Sequence, residues 1–129
     1  MKRIGILTSG GDAPGMNAAI RAAVRTAVGR GASVAGYLDG YSGFVAGDFL
    51  ELDDRAVGNI IQRGGTVIGT SRCPEFMEAG VRRAAAERMR ADGVEGLIVV
   101  GGGCRIPRAY ARHDRGGGSV AGLGSSQCR

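Results

Sequence analysis

Three features of the sequence predict an open α/β sheet of parallel strands, Rossmann-like in order. Apolar, strand-like runs alternate with amphipathic helical stretches, as βαβ units require. Gly96-Leu97-Ile98-Val99-Val100 is apolar without interruption, the pattern of a strand covered on both faces. Glycine pairs and triplets follow strand-like runs at Gly10-Gly11 and Gly101-Gly102-Gly103, with a further pair at Gly64-Gly65. In such a sheet the crossovers are right-handed and ligands collect at the carboxyl ends of the strands.

The apolar run Ile4-Gly5-Ile6-Leu7 places the first strand over residues 2–8. It is too short for a signal-peptide core. A helix over 15–29 follows from Met16, Ile20, Ala23, Val24, Ala27 and Val28, which share a face by spacings of three and four. Arg21 and Arg25 are i, i+4 neighbours on another face of it. The second strand spans 33–37 and closes at Asp39-Gly40. A short helix is expected over 55–62, ending at Gly64-Gly65, and a charged helix over 78–90 stops at Asp92-Gly93. The last strand is 96–100. Beyond residue 103 no apolar periodicity is visible, and no further strand is expected there.

Composition narrows the function. The 129 residues are 43% hydrophobic and include 25 glycines, enough apolar content for one modest core. No apolar run is long enough to span a membrane. The net charge of +5 is uneven: residues 104–129 hold five of the arginines against a single acid, whereas residues 1–103 are nearly balanced. The basic character belongs to the tail, where only Tyr110 could stack on a base, so no nucleic-acid partner is expected. Cys73, Cys104 and Cys128 are odd in number and lack metal-ligand spacing, which points to reduced thiols in a cytoplasmic protein. His113, the single histidine, has no second ligand at metal spacing and reads as solvated.

Chemistry concentrates in Ser9-Gly10-Gly11-Asp12-Ala13-Pro14-Gly15-Met16-Asn17, between a strand and a helix. Small residues let the backbone turn tightly, and its N–H groups, with the positive end of the helix, form a cradle for phosphate. Nucleotide or sugar-phosphate chemistry is the leading reading. Neither GxGxxG nor GxxxxGK[ST] is present, which weakens the dinucleotide and Walker-type readings. Arg72, in Gly69-Thr70-Ser71-Arg72, is the candidate cation for a transferring phosphate. A solvated turn arginine is the plainer alternative.

Taken together, these residues resemble the bacterial ATP-dependent 6-phosphofructokinase family. The similarity runs through residues 10–21, Asp39-Gly40-Tyr41, Arg63-Gly64-Gly65-Thr66 and the stretch from Gly69 through Arg72-Cys73-Pro74-Glu75-Phe76. It covers the opening part of a family chain, a partial ATP-binding domain over 1–102 followed by a divergent tail over 103–129. The resemblance implies transfer of the γ-phosphoryl of ATP to fructose 6-phosphate, giving fructose 1,6-bisphosphate in glycolysis, with Mg²⁺, in a cytosolic homotetramer. It implies ATP contacts at Gly11, Tyr41, Arg72, Cys73 and Gly102, with Arg72 steadying the transferring phosphate. Arg21 and Arg25 match an effector site for a nucleotide diphosphate or phosphoenolpyruvate, but Asp54 stands where a third arginine is expected. Cys73-Pro74-Glu75-Phe76 resembles the ATP-using branch rather than the pyrophosphate-using one.

The pattern breaks at Gly103-Cys104-Arg105, where the resemblance expects Asp-Gly-Ser with the Mg²⁺ aspartate first. After Leu123 it expects Pro-Gly-Thr-Ile-Asp and a catalytic base; Gly124 to Arg129 supply no carboxylate, and Gln127 cannot accept the sugar proton as one. Phosphofructokinase activity is therefore not expected of this 129-residue chain; a non-catalytic nucleotide-binding or regulatory module is the alternative. The abrupt shift to Gly, Arg, Ser and Cys suggests a displaced reading frame in GC-rich codons. Sequencing the DNA across codons 100–129 is expected to reveal an Asp-Gly-Ser codon set in another frame, whereas clean codons with no such set would contradict the frame shift.

Overall fold

The computed structural model describes residues 2–10 and 15–101, and the backbone of 119–123. The chain runs β1 (Arg3–Ser9), α1 (Met16–Gly29), β2 (Ser33–Tyr37), α2 (Tyr41–Ala46), β3 (Phe49–Leu52), a 3₁₀ turn (Pro74–Met77), α3 (Ala79–Ala91), β4 (Gly96–Gly101) and β5 (Ser119–Leu123). The sheet order is β3-β2-β1-β4-β5. Strand β1 pairs in parallel with β2 on one side (Ile4 opposite Val34) and with β4 on the other (Ile6 opposite Ile98).

Alternation along the strands sends successive side chains to opposite faces. Ile6, Val34 and Val100 face α1, where Met16, Ile20, Val24 and Ala27 cover them. Leu7, Ala35, Leu97 and Val99 face the other layer, filled by Phe44, Phe76, Ala85 and Met89. Both faces of β4 are covered, which accounts for its unbroken apolar run. Helix α1 has Gly15 as its N-cap, with no side-chain cap and no acid in its first turn. A glycine cap forgoes only about a few tenths of a kcal/mol relative to Ser or Asp. Burying Ile20 and Val24 completely returns roughly 1.5–3 kcal/mol each, so packing, not capping, holds the helix in place.

Four expectations are corrected. The sheet is mixed, because β3 turns back and pairs antiparallel to β2, with Gly36 opposite Leu50. Neither α2 nor β3 was expected; six and four residues are too short to show a period. The helix expected over 55–62 is a series of turns. Asn59 sits at φ 54, a left-handed value that a continuing helix excludes, and the Gly58 N–H closes a tight turn onto the Arg55 carbonyl. Finally, the stretch after 103 does add a strand: β5 pairs in parallel with β4, Val99 opposite Gly122. Five small and apolar residues show no usable periodicity, and the open side of β4 supplies the ladder that orders them.

Tyr37 anchors the second face. Its ring meets Phe44 edge-on at 5.1 Å and Phe49 at 5.8 Å, and its hydroxyl is buried with no hydrogen-bond partner among the described residues. Burial, reinforced by Asp92 and opposed by Arg3, pushes its pKa up to about 12 from 10.0. A phenol with a raised folded-state pKa stabilises the fold fully below pH 10, and that contribution is lost as pH rises through about 12. Ultraviolet titration should show a late tyrosinate step near 12 that is absent from Tyr37→Phe; a wild-type curve ending near 10 would contradict the burial.

Candidate functional site

The sheet order reverses direction between β1 and β4: the chain leaves β1 toward β2 on one side and returns to β4 on the other. A crevice outside the carboxyl ends of these two strands is where open α/β sheets take ligands. Ser9 and Gly101 pair at that end. Gly101 has φ 129, and a Cβ there would collide with the Ser9 carbonyl, so the strands meet closely only because residue 101 is glycine. Beyond Ser9, Gly10 (φ 82) begins the turn toward Gly15 (φ 94) and the uncapped start of α1. Among the described residues no side chain caps the first-turn N–H groups of α1, the kind of donors that suit an anion.

A second segment, residues 63–73, lies across the same end without regular structure. Side chains hold it on both flanks. On the β1 flank, the Thr8 hydroxyl donates to the Gly69 carbonyl (2.7 Å) and lies 3.0 Å from the Thr66 hydroxyl, while Thr70 donates to the Gly10 carbonyl (2.8 Å). On the β2 flank, Ser71 donates to the Asp39 carbonyl (2.8 Å), its hydroxyl 2.7 Å from that of Ser42. The Asp39 N–H donates to Ile68 (2.9 Å). Asn17, at the start of α1, bonds to Arg63 and Val67.

This framework presents Arg72. Its side chain is exposed, and among the described residues its guanidinium has no hydrogen-bond or ion-pair partner. Cys73 beside it is half-buried, its thiol donating to a Glu75 carboxylate oxygen (3.4 Å). Tyr41 is buried and stacked on Phe76 at 4.2 Å, so it can offer a ligand an edge at most. Tyr41, Arg72 and Cys73 therefore belong to one end of the sheet. Gly11, Gly102 and Gly103 lie outside the described residues, as do Cys104, Tyr110, His113, Gln127 and Cys128.

Arg21 and Arg25 lie elsewhere, one and two turns along α1 beyond Asn17. Arg21 donates to the Val57 carbonyl (3.0 Å), and Arg25 approaches Asp54 at 3.8 Å in a solvent-exposed pair. Among the described residues no group of three His, Cys, Asp or Glu side chains could hold a metal ion, and no helix is long and apolar enough to cross a membrane.

Sequence reasoning singled out Arg72 but missed Thr8, Asn17, Thr70 and Ser71, the residues that place it. Thr8 ends an apolar strand and reads in sequence as an ordinary boundary residue, and Asn17 closes the singled-out stretch 9–17 without a role of its own. Their burial, 0% and 3% exposed, is a tertiary fact.

A mostly parallel sheet whose chain order switches between β1 and β4, with the exposed Arg72 near that end, defines an α/β domain with a candidate ligand end. The comparisons narrow the class. The phosphofructokinase family matches residues 3–123, and the chain belongs to that family. It is 55% identical over 102 residues to the ATP-dependent 6-phosphofructokinase of Clostridium acetobutylicum, covering 79% of this chain and 32% of that protein. With the enzyme of the same name from Thermotoga neapolitana it shares 46% over 123 residues, 95% of this chain and 39% of the relative. Among solved structures, Pichia pastoris phosphofructokinase in the T-state superposes with a TM-score of 0.74 at 45% identity, over 76% of this chain and 11% of that one. A pyrophosphate-dependent phosphofructokinase from Marinobacter aquaeolei, at 19% identity and a TM-score of 0.66, shares the fold. The chain spans about a third of the length of the curated relatives it matches.

Thr8→Val keeps the volume of the side chain but leaves the Gly69 carbonyl without its donor. Urea denaturation is expected to show a loss of about 1–3 kcal/mol, the cost of stranding a buried polar group. An unchanged midpoint would mean that Thr8 does not secure the segment.

Proposed function

We propose that this chain is part of the ATP-binding half of an ATP-dependent 6-phosphofructokinase and takes the phosphates of ATP at the carboxyl ends of β1 and β4. The observation that carries the reading is Arg72: an exposed guanidinium with no partner among the described residues, on a segment secured by Thr8, Thr70 and Ser71. A planar guanidinium can grip two phosphate oxygens at once and take up charge as a phosphoryl group moves. The uncapped N-terminus of α1 supplies backbone donors from the opposite side. In the whole protein the acceptor would be fructose 6-phosphate, in a cytoplasmic homotetramer; the names of the close bacterial relatives support the ATP branch.

Mg²⁺ fits poorly here. Gly103 stands where the resemblance expects the metal-binding carboxylate, and the described residues gather no metal-ligand group. No step is assigned to the metal in this chain. The same substitution favours a second reading of the 129 residues by themselves, a nucleotide-binding module without turnover. Arg21 and Arg25 remain the proposed contacts for an anionic effector such as a nucleotide diphosphate or phosphoenolpyruvate. Asp54 competes for Arg25, and that exposed pair is worth little by itself.

Calorimetric titration with ATP is expected to show binding to the chain and a loss of roughly tenfold or more in Arg72→Ala, the scale of a charge-assisted hydrogen bond. A coupled assay with ATP, Mg²⁺ and fructose 6-phosphate should give no turnover above a buffer control. Turnover would overturn the non-catalytic reading; binding indifferent to Arg72→Ala would overturn the placement of the phosphates.

A further inference from the structure

Asn17 is a buried polar residue in the first turn of α1 that does nothing for its own helix. The N-cap is Gly15, and the carboxamide turns outward to a different segment. Its Nδ2 donates to the Arg63 carbonyl at 3.0 Å, and its Oδ1 accepts the Val67 N–H at 2.8 Å. The partners dictate the orientation of the amide, because one is an acceptor and the other a donor. Arg63 and Val67 flank the Gly64-Gly65 turn, where Gly65 has φ 77, and no backbone hydrogen bond joins them among the described residues. The carboxamide therefore closes the base of that loop in place of a backbone ladder.

Asn17 sits in the first turn of α1, two residues after Gly15, so the loop it closes is fastened to the start of that helix. From Val67 the chain needs only five residues to reach Arg72. Those residues are themselves held by Thr8, Thr70 and Ser71. A residue offering one polar end could satisfy Arg63 or Val67 but not both. The carboxamide is itself buried, so losing either partner leaves one of its polar ends unmet, which is costly.

We propose that Asn17 is the positioning residue for Arg72: both ends of its carboxamide lock the 63–72 segment to the start of α1 and so fix where the guanidinium stands. The inference deepens the nucleotide reading and rests on it for the ligand. Asn17 touches no phosphate itself and acts through the segment.

The test uses the full chain, with ATP and adenosine as probes, and compares Asn17→Ala, Arg72→Ala and the double variant. Asn17→Ala is expected to weaken ATP roughly tenfold, as a lost buried hydrogen-bond pair does, and adenosine by less than about twofold, since adenosine has no phosphate for Arg72 to grip. The double variant should bind ATP about as well as Arg72→Ala alone, because residues acting through one another are not additive. Equal losses for ATP and adenosine, or additive losses in the double variant, would overturn the proposal and leave Asn17 a structural residue. Asn17→Asp keeps the acceptor but sets a carboxylate oxygen against the Arg63 carbonyl, and it should behave as Asn17→Ala does; it replaces that variant if the alanine chain does not fold. Hydrogen exchange at the Val67 amide, measured without nucleotide, judges the lock separately. Protection lost in the variants supports it, and unchanged protection overturns it. A wild-type chain that binds neither probe overturns the nucleotide reading together with the ligand half of this proposal.

Discussion

The structure depends on β1 being paired in parallel on both sides. Its ladder to β2 carries α1 across one face, and its ladder to β4 carries the other neighbour, so the carboxyl end of β1 is the place where connections diverge. Everything near the candidate site is referred to that end. Gly101 lets β4 close against Ser9, Thr8 reaches the Gly69 carbonyl, and Gly10 both opens the turn to α1 and accepts from Thr70. Gly40, at φ 63, packs so close to the Thr8 carbonyl that a Cβ there would lie 2.5 Å from it. A side chain added there would push apart the elements that hold the crevice.

The framework was largely legible in the sequence where burial imposes a period. β1, α1, β2, α3 and β4 were expected close to their observed bounds, because each is long enough to repeat its apolar pattern. The short elements were not legible. The helix from Tyr41 to Ala46 and the antiparallel strand β3 are ordered by packing around Tyr37, Phe44 and Phe76, which no local period reveals. The false helix over 55–62 shows the opposite error. Val57 and Ile60 are buried at a helix-like spacing of three, but they reach the core from turns. In the site, Arg72 stood out because a cation beside Gly-Thr-Ser suggests phosphate. The hydroxyls and the carboxamide that hold it lay in or beside the same stretches, but their holding role was not legible, since a sequence does not say which polar side chains face inward.

Two features of the chain bear on the proposed anion sites. At the far side of α1, Asp54 meets Arg25, so an anion proposed to bind there would compete with a carboxylate of the chain itself. After β4 the sequence has Gly103 where the resemblance leads one to expect a carboxylate. The family match nevertheless reaches residue 123, and the backbone of Ser119–Leu123 takes its place beside β4. The divergence after residue 103 is therefore interrupted by a stretch that still completes the sheet. A wholly foreign tail would not be expected to do so.

The central claim is that phosphate enters at the carboxyl ends of β1 and β4, between the Gly10 turn and Arg72. Backbone amide chemical-shift mapping of the labelled chain during an ATP titration tests it most directly. The account predicts perturbations clustered at Gly10, Gly15, Thr70, Arg72 and Gly101. Perturbations confined to Arg21, Arg25 and the 54–57 turns, or none at saturating ATP, would contradict it.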